Sequence, residues 1–146
     1  MALRLLAVAF QVRDAPEVGA FWTELLGREM TGDDRGVCVP GDDTQVGLRF
    51  VETETEIDTG PNRLHLHLTS TDLDDQTATV RRVEALGGRI IRHRPEEGHV
   101  VMADPGRNEF CVIEPDNGFL EGTGFLGEVT DHGPPESGRF WSEALG

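Results

Sequence analysis

The segment from Pro16 to Gly27, which carries Phe21 and Trp22, recurs from Pro135 to Gly146 with Phe140 and Trp141 in the same places. The offset is 119 positions without a gap, and eight of the twelve pairs are identical. A tryptophan-bearing stretch does not recur in this way by chance, so the chain is built from a repeated unit whose last copy stops where the first carries on. Each unit of such an architecture is one supersecondary element that must bury its apolar face against a neighbour. That requirement limits the folds open to the chain.

From Leu5 to Val12 the side chains alternate, with Leu6, Val8, Phe10 and Val12 on one face of a strand and Leu5, Ala7, Ala9 and Gln11 on the other. Asp14 is placed to cap a following helix, with Glu17 three residues on and Pro16 tolerated in the first turn. Val18, Phe21 and Leu25 fall at helical spacing and read as core contacts, and Gly27 is the stop. Short strands are predicted over 37–39 and 46–51, separated by turn clusters at 32–36 and 40–43. The polar stretch 52–62 reads as a connection.

The order then repeats. A strand over 63–69 leads into an acid-rich helix start at Asp72, Asp74 and Asp75, and a helix through Val80, Val83 and Leu86 ends at Gly87 and Gly88. Strands follow over 89–94, 99–103 and 109–114. Two βαβββ modules, over 3–58 and 63–115, make an α+β domain spanning 1–118. They are expected to form one composite, cup-shaped mixed sheet with the helices on its outer face. Residues 119–146 supply a strand over 125–130 and a helix over 136–145, the βα start of a further module. A lone βα cannot bury its apolar face. It packs on its own domain, exchanges with a partner chain, or belongs to a longer two-domain protein. In each case it is expected to lie outside the cup.

The chain has 146 residues and a formal net charge of −14, with 13 Lys+Arg against 27 Asp+Glu. That balance repels a phosphate backbone or an anionic membrane, so neither nucleic acid nor membrane is expected as a partner. The apolar run from Ala2 to Val12 contains Arg4, lacks a cleavage motif and is far too short to span a bilayer. Cys38 and Cys111 stand in no metal-like or redox-like spacing, which suits free thiols in a reducing cytoplasm.

Three stretches carry a resemblance: Phe21-Trp22 to Leu25-Leu26-Gly27; His65-Leu66-His67-Leu68 through Ala85 to Gly88; and Met102 to Pro105 with Asn108 to Ile113. In order and spacing they resemble the glyoxalase/bleomycin-resistance/extradiol-dioxygenase superfamily, the vicinal oxygen chelate proteins, and within it the glyoxalase-like domains. The resemblance implies paired βαβββ modules forming a cup. Enzymes of the superfamily chelate substrate oxygens there on a divalent metal, and metal-free members sequester drugs. The fold therefore leaves the chemistry open.

Strand alternation sends His65 and His67 together to the concave face, where two imidazoles can bind a metal, relay a proton, or hydrogen-bond a ligand or water. The four places where the resemblance implies metal ligands are held by Ala7, by Gly47 or a near neighbour, by His65 and by Cys111. Only His65 keeps a usual ligand type, so the conventional metal site is expected to be absent and no cofactor is assigned. Glu109 shares the face of Cys111, whereas Glu114 falls on the opposite face if the strand stays regular.

Gln11, Arg49, His65, His67, Glu109 and Cys111 are the candidate ligand-binding residues, with Ala7, Ala9 and Gly47 leaving room for an organic molecule or for water. Cys111 is either a nucleophile beside His65 or a buried inert thiol. His93 and His99 read as loop-edge residues near the mouth. The turn from Asp104 to Asn108 places Arg107 where the family has glycine, which calls for an unusual backbone angle or a shifted turn.

The sequence points to a cytoplasmic protein binding a small organic molecule, expected as a homodimer in which the C-terminal βα is a candidate for exchange. The alternatives are a metal-dependent lyase, isomerase or dioxygenase, a drug-sequestering resistance protein, and a module serving dimerisation or regulation.

Overall fold

The apolar run at the start of the chain becomes strand only from Ala7, because Leu5 and Leu6 are exposed and find no sheet neighbour of their own. The computed structural model describes residues 3–57 and 60–146. Ala2, at the head of that run, and Asp58 and Thr59, in the connection, lie outside the described residues.

Two modules of the same order follow one another. The first is β1 (Ala7–Val12), α1 (Ala15–Leu26), β2 (Thr31–Asp33), β3 (Gly36–Val39) and β4 (Gly47–Glu52). The second is β5 (Leu64–Leu68), α2 (Leu73–Ala85), β6 (Arg89–His93), β7 (Val100–Ala103) and β8 (Glu109–Val112). A short 3-10 turn (Gly118–Leu120), β9 (Leu126–Asp131) and α3 (Pro135–Leu145) complete the chain. β2 was not anticipated. Its residues read as a turn cluster, but Thr31 to Asp33 pair with β3 across a turn in which Asp33 accepts from the Arg35 amide at 2.9 Å. Among the described residues no helix is long and apolar enough to cross a membrane.

The helix boundaries follow their caps. Asp14 accepts from the Glu17 amide at 2.9 Å and Asp72 from the Asp75 amide at 2.8 Å, each satisfying a donor that the first helical turn leaves open. α1 stops at Gly27, which takes the left-handed conformation at φ 65°.

The α+β class with paired βαβββ modules is the observed one. Backbone pairing, however, divides the strands between two sheets instead of running them through one. The first has the order β1-β4-β3-β2 and the second β6-β7-β8-β5-β9. In both, the module's first strand lies parallel to its last. β5 has two edges, β8 holds one, and β9 takes the other in antiparallel register. A strand so filled on both sides has no edge left to join β1. The C-terminal strand thus packs on its own domain.

One core serves both modules. Val8, Phe10, Val12, Leu48 and Phe50 from the first sheet meet Leu66, Leu68, Met102, Phe110 and Val112 from the second, with Phe21, Trp22 and Leu25 of α1 and Val83 of α2. Trp22 stands edge-on to Phe110 with centroids 4.9 Å apart. Its indole Nε1 donates to Asp104 Oδ2 at 2.9 Å. The same carboxylate accepts from the Asn108 backbone at 2.9 Å and from Asn108 Nδ2, closing the turn between β7 and β8. Within this turn Arg107 takes φ 69°, the unusual angle expected when arginine stands in the family's glycine position.

α3 repeats α1 in sequence but not in packing. Phe21 and Trp22 are buried, whereas their counterparts Phe140 and Trp141 are 61% and 46% exposed.

Burial pushes the Asp104 carboxyl above its ordinary value, against the pull of its Trp22 and Asn108 donors. Asp104→Ala would orphan those buried donors and is expected to cost about 3 kcal/mol, lowering the melting temperature by roughly 10 °C. Thermal unfolding followed by circular dichroism measures this.

Candidate functional site

The regular alternation of β5 turns Leu64, Leu66 and Leu68 toward the core and His65 and His67 toward the opposite, open face of the second sheet. Register with the neighbouring strands then builds rows of side chains. His67 lies between Cys111 of β8 and Glu128 of β9, and His65 lies beside Thr130. His67 Nδ1 is 2.9 Å from Glu128 Oε2 and 3.4 Å from Thr130 Oγ1.

A cavity of about 360 Å³ opens over this row. Its polar wall is His67, His99, Glu114, Asn117, Glu128 and Thr130, and its apolar wall is Cys111, Ile113, Phe119 and Leu120. Cys111, Ile113 and Leu120 form a small buried cluster with Val101, separate from the main core. His99 also approaches Glu97, with Nε2 3.7 Å from Oε2. His93 lies on the exposed edge strand β6 and does not line the cavity.

The six candidate residues divide. His65, His67, Glu109 and Cys111 share the open face of the second sheet, with Glu109 Oε2 3.9 Å from His65 Nε2. His67 and Cys111 reach the cavity wall. Gln11 and Arg49 do not. They belong to the first sheet, where Gln11 is exposed and Arg49 Nη2 binds Asp33 Oδ2 at 2.6 Å. The expectation of one shared inner face fails for them because pairing splits the strands into two sheets.

Two further expectations are corrected. Residues 119–146 were expected to lie outside the site, yet Phe119, Leu120, Glu128 and Thr130 line it. The free edge of β5 recruits β9, and alternation along β9 turns Glu128 and Thr130 to the face of His65 and His67. Glu114 was placed on the opposite face, yet it lines the cavity with Cys111. β8 ends at Val112, so strand alternation no longer governs Glu114. Sequence reading missed Glu128 and Thr130 as site residues. Their two-residue spacing on a recognised strand was visible, but the identity of that strand's neighbour was not.

His65 is only 9% exposed and its Nε2 has no hydrogen-bond partner among the described residues. Its ring meets His132 edge-on at 4.7 Å. Burial holds its pKa below the ordinary imidazole value of 6.5, and the neighbouring His132 adds to the effect. Burial also pushes the Cys111 thiol up to about 11. A thiol held protonated at neutral pH is a poor nucleophile, which favours the inert reading of Cys111.

The residues do not fit the divalent metal that the fold implies in some enzymes. Ala7 and Gly47 carry no donor, and among the described residues no group of three His, Cys, Asp or Glu converges in a way that could hold an ion.

Residues 7–113 match the family model described as a glyoxalase-like domain. No curated protein matches the chain significantly. Among solved structures, a glyoxalase-related enzyme from Fulvimarina pelagi is similar at 15% identity and a TM-score of 0.64, over 87% of this chain and 96% of that one. A glyoxalase/bleomycin resistance protein/dioxygenase family enzyme from Burkholderia phytofirmans superposes with a TM-score of 0.63 at 18% identity, over 75% and 97%. The fosfomycin resistance protein FosX from Listeria monocytogenes, solved with Mn(II) and a dihydroxypropylphosphonic acid, gives 0.61 at 17% identity, over 80% and 96%. At these identities the likeness is one of fold.

Two measurements follow from the site. Native protein treated with a thiol reagent at neutral pH is expected to label quickly at the partly exposed Cys38 and slowly at Cys111, with both labelling in denaturant. Because the folded chain resists protonating His65 while the unfolded chain accepts the proton near 6.5, His65 stabilises the fold above that pH and loses its contribution as pH falls below it. Urea unfolding from about pH 7.5 to about pH 5.5 should therefore show a steeper loss of stability in the parent than in His65→Gln.

Proposed function

The chain belongs to the glyoxalase-like domain family, and on that premise we propose that it binds a small organic molecule on the open face of its second sheet without a conventional divalent metal. The observation that carries this reading is the cavity over β5. It combines one apolar wall, from Cys111 to Leu120, with a few polar groups centred on His67, Glu128 and Thr130. Such a lining suits a ligand held by its apolar body and oriented by a small number of hydrogen bonds.

FosX holds Mn(II) and a phosphonic acid, whereas this chain has alanine at position 7 and glycine at position 47, where a metal would need donors. Sequestration of the ligand accords with that difference. The His67–Glu128 pair supports a second reading, a metal-free proton transfer. A carboxylate 2.9 Å from Nδ1 orients an imidazole as a general base.

Metal analysis of protein purified without chelator, followed by titration with Zn, Ni, Mn and Fe(II), tests the first reading. Substoichiometric metal and no change in melting temperature on addition are expected. One equivalent of metal, lost in His65→Ala, would overturn it. The second reading predicts turnover of a bound compound that falls at least about 100-fold in His67→Ala, measured by product formation.

A further inference from the structure

We propose that Glu114 recognises a positively charged group, so that the ligand of this cavity is an organic cation with an apolar or aromatic body. The inference rests on reading the concave cavity as a ligand site and names the class of molecule it takes.

Glu114 stands where two cavities meet. One is the cavity of about 360 Å³ over His67, and the other, of about 470 Å³, is walled chiefly by hydroxyl and carboxylate side chains. Both have Glu114, Asn117 and Leu120 in their walls. The Glu114 carboxylate is held on one side only: Oε1 accepts from Asn117 Nδ2 at 2.9 Å. Oε2 is shielded from solvent and has no hydrogen-bond partner among the described residues. The hydroxyl of Ser70, in the wall of the second cavity, is shielded and unpartnered in the same way. A buried polar atom without a partner is costly to leave as it is, and a carboxylate oxygen can only accept, so the group that completes it must be a donor.

Charge decides which kind of donor. Glu114 and Glu128 line the first cavity, and Asp116 and Glu121 join Glu114 in the second. None of the chain's arginines lines either cavity among the described residues. A ligand bearing phosphate or carboxylate would meet only repulsion here. An ammonium or guanidinium gains a charge-assisted hydrogen bond at Oε2 and the field of the surrounding carboxylates. The backbone fixes the placement as well. Gly98, at φ +77°, lies so close to Glu114 that an added Cβ would fall 3.2 Å from its Cγ. Phe119, 92% exposed beside the apolar wall, offers a face for an aromatic or cationic body.

Three probes of one shape test this: tryptamine as the cation, tryptophol as the neutral analogue and indole-3-acetate as the anion. They are titrated into the full chain and followed by amide chemical shifts and calorimetry. Tryptamine is expected to bind about tenfold tighter than tryptophol, with indole-3-acetate weakest. The tryptamine advantage should shrink as salt rises, a readout that needs no variant. In Glu114→Gln the advantage should fall to near parity, with an unchanged amide spectrum elsewhere as the control for folding. An advantage that survives Glu114→Gln, or acetate binding as tight as the amine, overturns the proposal. Tryptophol bound over His67 with no preference for the amine overturns it too, while leaving the ligand site standing. If no probe perturbs His67, Cys111 or Leu120, both this proposal and the reading of the cavity fail.

Discussion

Everything at the candidate site depends on β5 being paired on both edges. β8 lies parallel to it on one side and β9 antiparallel on the other, and these two ladders set His67 between Cys111 and Glu128. A strand left with one open edge would present unpaired backbone groups, and the chain meets that demand with a segment from far along the sequence. The same pairing has three consequences. It separates the second sheet from the first, it carries Glu128 and Thr130 into the site, and it leaves Gln11 and Arg49 on a different sheet.

The second constraint is polar and lies on the opposite side of the sheet. Asp104 is fully buried, yet it gathers donors from Trp22 of α1 and from Asn108 in its own turn. Asn62, just before β5, reaches the same node by donating to Asn108 Oδ1 at 3.2 Å and accepting from the Glu109 amide at 3.1 Å. The helix of the first module, the last hairpin of the second and the lead into β5 are thereby tied together. A low-dielectric node of this kind is worth keeping only when its members are satisfied, and this one is well supplied with donors. Such a node helps explain how two modules share one core while their strands form separate sheets.

Local pattern carried much of the fold. The apolar spacing of Val18, Phe21 and Leu25, the caps at Asp14 and Asp72, and the glycine stops at 27 and 87 follow from short-range physics that holds wherever the segment sits. The facing of His65 and His67 was legible for the same reason, since alternation needs no knowledge of neighbours. Glu114 was misplaced because alternation was carried past Val112, where the strand ends. β2 was missed because Thr31-Gly32-Asp33 has the composition of a turn, and only pairing with β3 makes it strand.

The repeat of the segment around Trp22 at Trp141 shows the same division. By itself the sequence determined that the chain is modular, that 135–145 is helical and that β9 precedes it, because residue spacing and caps act locally. It also determined that Ala7 and Gly47 supply no side-chain ligand, since that is a matter of residue type alone. Only the tertiary structure decided which strand β9 joins, and hence that Glu128 and Thr130, with Phe119 and Leu120 from the approach to β9, wall the cavity. It alone buried Phe21 and Trp22 while leaving Phe140 and Trp141 exposed. The reason is that strand neighbours and helix docking are set by which edges and faces remain unfilled once the rest of the chain has folded, and no local pattern records that.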